Sequence, residues 1–141
     1  MKSPSITETL NTIEPFSTLQ MEYIEVTDGS ASIKMNLDGN RNDKNTMFAG
    51  SIYSVLVLTG WMLAKQICDD HGPEYDVVIK DSKTSFLNPV RSSCIAKAKL
   101  REGLATKKSG NLSINVFVEL IDENEKSCAE FTGNYVGIKK S

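Results

Sequence analysis

The segment NTMFAGS, residues 45–51, leads without a break into an apolar run that reaches Ile67. Its composition suits one kind of chemistry. At a helix start several backbone N–H groups have no internal partner, and the helix dipole favours negative charge there. Ala49 and Gly50 carry almost no side chain, so a ligand can approach that backbone closely. They are candidate donors to an oxygen on which charge develops. Thr46, Phe48, Ser51 and Ser54 flank the same place and are candidate substrate contacts. The plainer reading of Ala49-Gly50-Ser51 is a cap and a tight turn.

A reaction at such a site also needs a group that orients or activates water. Asp81 is one candidate. It has the strand parity of Val77 and Ile79, so simple alternation points it at the side those residues bury. A carboxylate held there tends to have its pKa raised toward a useful range. The alternative is a structural aspartate that ties down a loop or caps the helix. The loop residues Asn40, Asn42, Asp43, Asn45 and Thr46 are further polar candidates, although Asn and Asp favour turns on their own account. No Gly-x-Ser-x-Gly is present, and the single histidine, His71, stands by Asp69 and Asp70, far from any serine elbow. The three cysteines, Cys68, Cys94 and Cys128, are widely spaced. They suggest neither a disulfide framework nor a metal site, and a reduced cytoplasmic setting is the expectation.

The elements that position these residues follow from patterning. The 141 residues, with a formal charge of -2, suit one domain over residues 1–141 with one core. A slightly acidic chain does not offer the basic face that nucleic acid requires. The N-terminal ten residues lack the apolar segment of a secretory signal. The first fifteen residues hold a short helix, with Ser5 or Thr7 as cap and Pro15 as its stop. Residues 19–27 alternate with a slip at Tyr23-Ile24, a bulge signal, and Asp28-Gly29 turns the chain into a second strand. One long helix then runs from about Gly50 to Asp70, with almost no polar residue between Ile52 and Ala64. Its unbroken apolar part is shorter than the roughly 20 residues of a membrane span, so the expectation is a helix buried on every side. Four longer strands follow, over residues 75–87, 93–101, 111–121 and 127–138. Strands with one solvated face need a cover for the other, and the apolar helix is the only large candidate. The fold class is therefore α+β, a curved antiparallel sheet wrapped around one central helix.

This architecture, together with NTMFAGSIYSVLVLTGW, VVIKDSKTSFLNPV and AEFTGNYVGI, resembles the hotdog-fold thioesterases of the YiiD C-terminal type. The resemblance implies hydrolysis of acyl-CoA or acyl-carrier thioesters, with coenzyme A as part of the substrate and no separate cofactor or metal. It implies an oxyanion site at Ala49 and Gly50, with Asp81 and the loop residues Asn42 and Asn45 orienting water. It also implies a homodimer or dimer of dimers with the pocket between subunits. Coenzyme A phosphates want cations, and Lys107-Lys108, or Lys97, Lys99 and Arg101 along one strand, are the candidates. The chain departs from the pattern at Lys44 and Lys83, where relatives often carry histidine, and the central helix has no carboxylate in its Ser51 to Gly60 stretch. These departures keep a non-catalytic acyl-CoA or lipid-binding module in view. A hydratase or dehydratase is the weaker alternative, because that chemistry wants both missing groups.

Overall fold

The computed structural model describes residues 5–72, 74–101, 105–107 and 109–140. Two short helices, α1 (Ile6–Leu10) and α2 (Glu14–Thr18), precede strands β1 (Met21–Val26) and β2 (Ser30–Met35). The long helix α3 (Ala49–His71) follows, and then β3 (Tyr75–Phe86), β4 (Cys94–Leu100), β5 (Ala105–Thr106), β6 (Leu112–Asp122) and β7 (Ser127–Lys139). Ser5 caps α1 through its side chain, as expected. Pro15 does not end a helix but lies in the first turn of α2, where its missing N–H is no loss.

The strands form one antiparallel sheet in the order β1-β2-β4-β6-β7-β3, with the short β5 added to β6. Helix α3 touches strands from β1 at one edge to β3 at the other. A helix about 10 Å across reaches both edges of a sheet whose strands are ~4.8 Å apart only if the sheet curls around it. Inward residues alternate as the patterning requires: Leu112, Ile114, Val116, Val118 and Leu120 on β6, and Cys94, Ala96 and Ala98 on β4, are all buried.

Two features depart from the expectation. The first concerns α3. Val55, Leu56, Met62, Leu63 and Ala64 are fully buried, yet the stripe Tyr53, Ser54, Val57 and Trp61 is exposed or half-buried. The helix has the length and apolar composition of a membrane span; the sheet accounts for most of that composition, and one apolar stripe is left uncovered.

The second is in β3. Ile79 pairs with Tyr135 and Asp81 with Asn134, so Lys80 is an extra residue in a bulge. In β7 the odd-numbered residues 131, 133 and 135 are buried and the even-numbered ones are half-buried. Beyond the bulge, therefore, Ser82, opposite Gly133, faces α3, and Asp81, opposite Asn134, faces outward. Simple alternation assumes one residue per pair and predicts the reverse. A second bulge falls between Tyr23 and Glu25 in β1, where the slip in the sequence pattern lies.

Candidate active site

The loop of residues 38–48 delivers the chain to α3, and its polar residues build the loop itself. Buried Asn40 donates through Nδ2 to the carbonyls of Leu19 at 2.7 Å and Asn36 at 2.8 Å. Its carbonyl accepts the Phe48 N–H at 2.7 Å, fixing the residue before the helix. The Asn42 amide is committed on both sides: Nδ2 donates to Thr46 Oγ1 at 2.9 Å, and Oδ1 accepts the N–H groups of Lys44 at 2.8 Å and Thr46 at 3.1 Å. Thr46 is held by the same network. Asn45 has φ 63°, a left-handed turn conformation that Asn tolerates, and its residue is exposed. The polar atoms of Asn42 and Thr46 are thus engaged with each other and with the turn's own backbone. Asn45 alone among them stands free.

At the start of α3 the Phe48 carbonyl accepts the N–H groups of Ser51 at 3.0 Å and Ile52 at 3.1 Å. Among the described residues, the N–H groups of Ala49 and Gly50 have no hydrogen-bond partner, and both residues are exposed. Both N–H groups are thus left without an internal acceptor at the helix start. Gly50 has a further reason to be glycine. The exposed Phe48 ring lies against it, in the space that a Cβ at Gly50 would take. Ser51 is buried. Ser54 donates its hydroxyl back to the Gly50 carbonyl at 2.8 Å, so it is turned along the helix rather than toward a ligand.

The sequence reading missed the group that faces this helix from the sheet. Because of the bulge, Ser82 is aimed inward, and its Oγ lies 2.8 Å from the Tyr53 hydroxyl. Tyr53 sits one turn beyond Ala49 and Gly50 on the same face of α3. Its ring packs edge-on against Phe131, with centroids 6.1 Å apart and planes at 65°. Asp81 instead opens on the opposite face of the sheet, in a 350 Å³ polar groove shared with Lys83, Arg101, Asn115 and Asn134. Ser82 is brought to α3 where alternation alone does not place it, and the register shift is its only signal.

Beside the hydroxyl pair lies a cavity of about 350 Å³. Val57, Leu58 and Trp61 of α3 form one wall, β3 gives Val77 and Ile79, and Ile13 closes from the N-terminal segment. Tyr135 reaches it from β7. Its hydroxyl donates to the Val57 carbonyl at 2.6 Å and faces the Trp61 N–H, tying β7 to the middle of the helix. Burial pushes the Tyr135 pKa well up, so the phenol stays neutral.

The cation candidates are elsewhere. Lys97, Lys99 and Arg101 are exposed on the outer face, and Lys99 lies 5.5 Å from the Phe117 ring centroid. Lys107 is exposed in the turn that leads back to β6. That strand starts at Leu112, opposite Gly137, and Gly137 packs on Cys68. Cys68 is about 27 Å beyond Gly50 along the axis at ~1.5 Å per residue. Within one chain, Lys107 therefore stands at the far end of α3 from Ala49 and Gly50. Lys108 lies outside the described residues.

A curled antiparallel sheet wrapped around a single long helix defines the hotdog class. Within that class the chain belongs to the family described as "Putative thioesterase (yiiD_Cterm)", whose model matches residues 4–139. Among solved structures, the "putative thioesterase" of Shewanella oneidensis is 28% identical, with a TM-score of 0.84 and 94% of each chain covered. A Haemophilus influenzae thioesterase is 15% identical, with a TM-score of 0.79, covering 98% of this chain and 93% of that one. A Streptococcus mutans protein bound to acetyl CoA is 11% identical, with a TM-score of 0.70 and coverages of 86% and 90%. The last two likenesses concern the fold alone. No curated protein matches the sequence.

Proposed function

We propose that this protein hydrolyses acyl-CoA thioesters as a homodimer. The observation that carries the reading is the pair of unpartnered, exposed N–H groups at Ala49 and Gly50, placed at the start of a helix whose uncovered stripe is apolar. The thioester carbonyl oxygen accepts from these two groups, and the helix dipole favours the charge it gains in the tetrahedral intermediate. Water adds to the carbonyl carbon and the C–S bond breaks. The proton that the water loses passes to the departing thiolate, giving a carboxylic acid and free coenzyme A. The Tyr53–Ser82 hydroxyl pair, on the same face of the helix, positions that water. The fold is also that of the Streptococcus mutans protein seen with acetyl CoA.

Thiol release from a panel of acyl-CoA thioesters tests this reading. Tyr53→Phe and Ser82→Ala each remove one hydrogen-bonding hydroxyl worth about 1 kcal/mol, so kcat falls roughly fivefold to tenfold. Asp81→Asn leaves kcat near the wild-type value, because Asp81 opens on the other face. A drop in kcat confined to Asp81→Asn would return the water to a carboxylate and reject the hydroxyl assignment. One observation favours a second reading, a binding module without turnover: among the described residues, no carboxylate or histidine lines the groove beside α3. Saturable acyl-CoA binding with no thiol released at any chain length identifies that case.

A further inference from the structure

We infer that Asn40 positions the two free amides of Ala49 and Gly50, acting through Phe48 and touching no substrate itself. This rests on the thioesterase reading and adds a positioning residue to it.

Packing does little to hold the start of α3. Phe48 is 55% exposed, Ala49 and Gly50 are exposed as well, and the first buried residues of the helix are Ser51 and Ile52. Hydrogen bonds must therefore aim the two free N–H groups, and they act at Phe48. A peptide unit is planar, so the Phe48 carbonyl and the Ala49 N–H point in opposite directions from one plane. The N–H groups of Ser51 and Ile52 hold that carbonyl from the helix side. The preceding plane carries the Phe48 N–H, which donates to the Asn40 carbonyl at 2.7 Å. Only the φ and ψ of Phe48, −65° and 134°, join the two planes. With both planes tied, neither angle is free. One residue earlier, the Met47 N–H goes to the Val90 carbonyl at 2.9 Å, which leaves the Phe48 plane to Asn40.

Asn40 is in turn tied to the sheet. Its Nδ2 spans the carbonyl of Leu19, just before β1, at 2.7 Å and that of Asn36, just after β2, at 2.8 Å. The residue is 2% exposed. Between Asn40 and Phe48 the loop is closed on itself by the Arg41–Met47 bridge and the Asn42–Thr46 bonds, so it moves with its base. The same sheet carries Ser82. Asn40 thus fixes the amides relative to the Tyr53–Ser82 hydroxyl pair across the site. The side chain is kept at a cost: among the described residues, Asn40 Oδ1 is buried without a partner, and a buried acceptor left unpaired is destabilising. What the amide supplies is two donors on one short side chain, which neither an aspartate nor a serine can match.

In the full chain, Asn40→Ala removes both donors. Its kcat on acyl-CoA thioesters should fall roughly tenfold to a hundredfold, the effect of a ~1 Å misplacement, with KM little changed because the amides act on the charge of the transition state. Leu112→Ala, a core truncation at the far end of α3, should melt earlier and keep its kcat, which separates positioning from loss of stability. Asn40→Asp keeps the size and regains one donor only when protonated, so its kcat relative to wild type should climb as pH is lowered from about 8 to about 5. The backbone amide resonances of Ala49 and Gly50 give a readout without turnover. S-acetonyl-CoA, a ketone that cannot be hydrolysed, should shift them in the wild type and not in Asn40→Ala. An Asn40→Ala protein that melts earlier yet keeps its kcat and its amide shifts overturns the proposal, and so does failure of both Asn40 variants to fold. A wild type that releases no thiol rejects the thioesterase reading instead. The amide shifts then decide for Asn40: their loss in Asn40→Ala sustains the positioning role, and shifts equal in the two proteins or absent from both end it.

Discussion

Cys68, Cys94 and Cys128 are free and buried, and burial decides their chemistry. Desolvation, aided by neighbouring Asp69, pushes the Cys68 thiol from its ordinary 9.0 up to about 11. Desolvation, with Cys128 and Asp122 close by, takes Cys94 from 9.0 up to about 12. None of the three is a nucleophile at neutral pH. The linkage has a definite sign. Above about pH 9 the unfolded chain loses these protons while the folded chain keeps them, so the unfolded state binds fewer protons and stability falls as pH rises. The fall should begin near pH 9 and end near pH 11 for Cys68 and pH 12 for Cys94. Urea midpoints measured from pH 7 to 11 should stay level to about pH 9 and then drop, with a shallower drop in Cys94→Ala. A midpoint that is level throughout would show that these thiols do not resist ionisation. Reading these cysteines as core was within reach of the sequence, because Cys94 and Cys128 fall at inward strand positions. The role of Asn42 was not, because an Asn able to orient water and an Asn that closes a turn have the same identity and nearly the same spacing; the partners of its amide decide.

Helix α3 is held to the sheet at mid-length by Tyr135, and Gly60 makes that approach feasible. A Cβ at Gly60 would stand 2.5 Å from Tyr135 Oη, 2.9 Å from Cε1 and 3.0 Å from Cζ, against a side chain that is fully buried. Gly60→Ala should therefore destabilise the protein by about 1–3 kcal/mol despite alanine's better helix propensity. Tyr135→Phe should cost about 1 kcal/mol for the lost bond to the Val57 carbonyl. The two changes share one contact, so their combined effect in thermal denaturation should differ from the sum of the single effects. Strict additivity would show that the clash is relieved elsewhere. The elements themselves were legible: the unbroken apolar run gave α3, and period-two alternation gave β4, β6 and β7. The bulge at Lys80 was not. Lys80 has no composition that marks it, and whether a strand absorbs an extra residue is settled by its neighbour. Asp81 and Ser82 exchanged faces for that reason.

Across the whole molecule, the sheet has one long unpaired edge. Strand β3 carries twelve residues there, and Val78, Ile79, Phe86 and Leu87 in and beside it are exposed. Such an edge is a liability unless another strand covers it. The proposed homodimer covers it with a second copy, by two-fold antiparallel pairing that continues the sheet. Sedimentation velocity at micromolar concentration should show twice the 15.5 kDa chain mass. Val78→Lys, which places a charge at the edge, should shift the population toward monomer. A wild-type monomer under these conditions removes the dimer and the pocket completed by it. This level of organisation was the least legible in the sequence, since the same apolar residues in β3 would serve equally well in a buried central strand.

The opposite edge has a different character. Strand β1 is six residues long, is interrupted by its bulge, and carries Glu22 and Glu25, both exposed. A bulge bends the backbone out of line with an incoming strand, and like charges on two such edges repel. Two-fold pairing through β3, as proposed, would use the β3 edges of both copies and leave only the short, bulged β1 edges free. In the proposed homodimer, growth along the sheet direction would therefore end at two copies rather than propagate into a fibre.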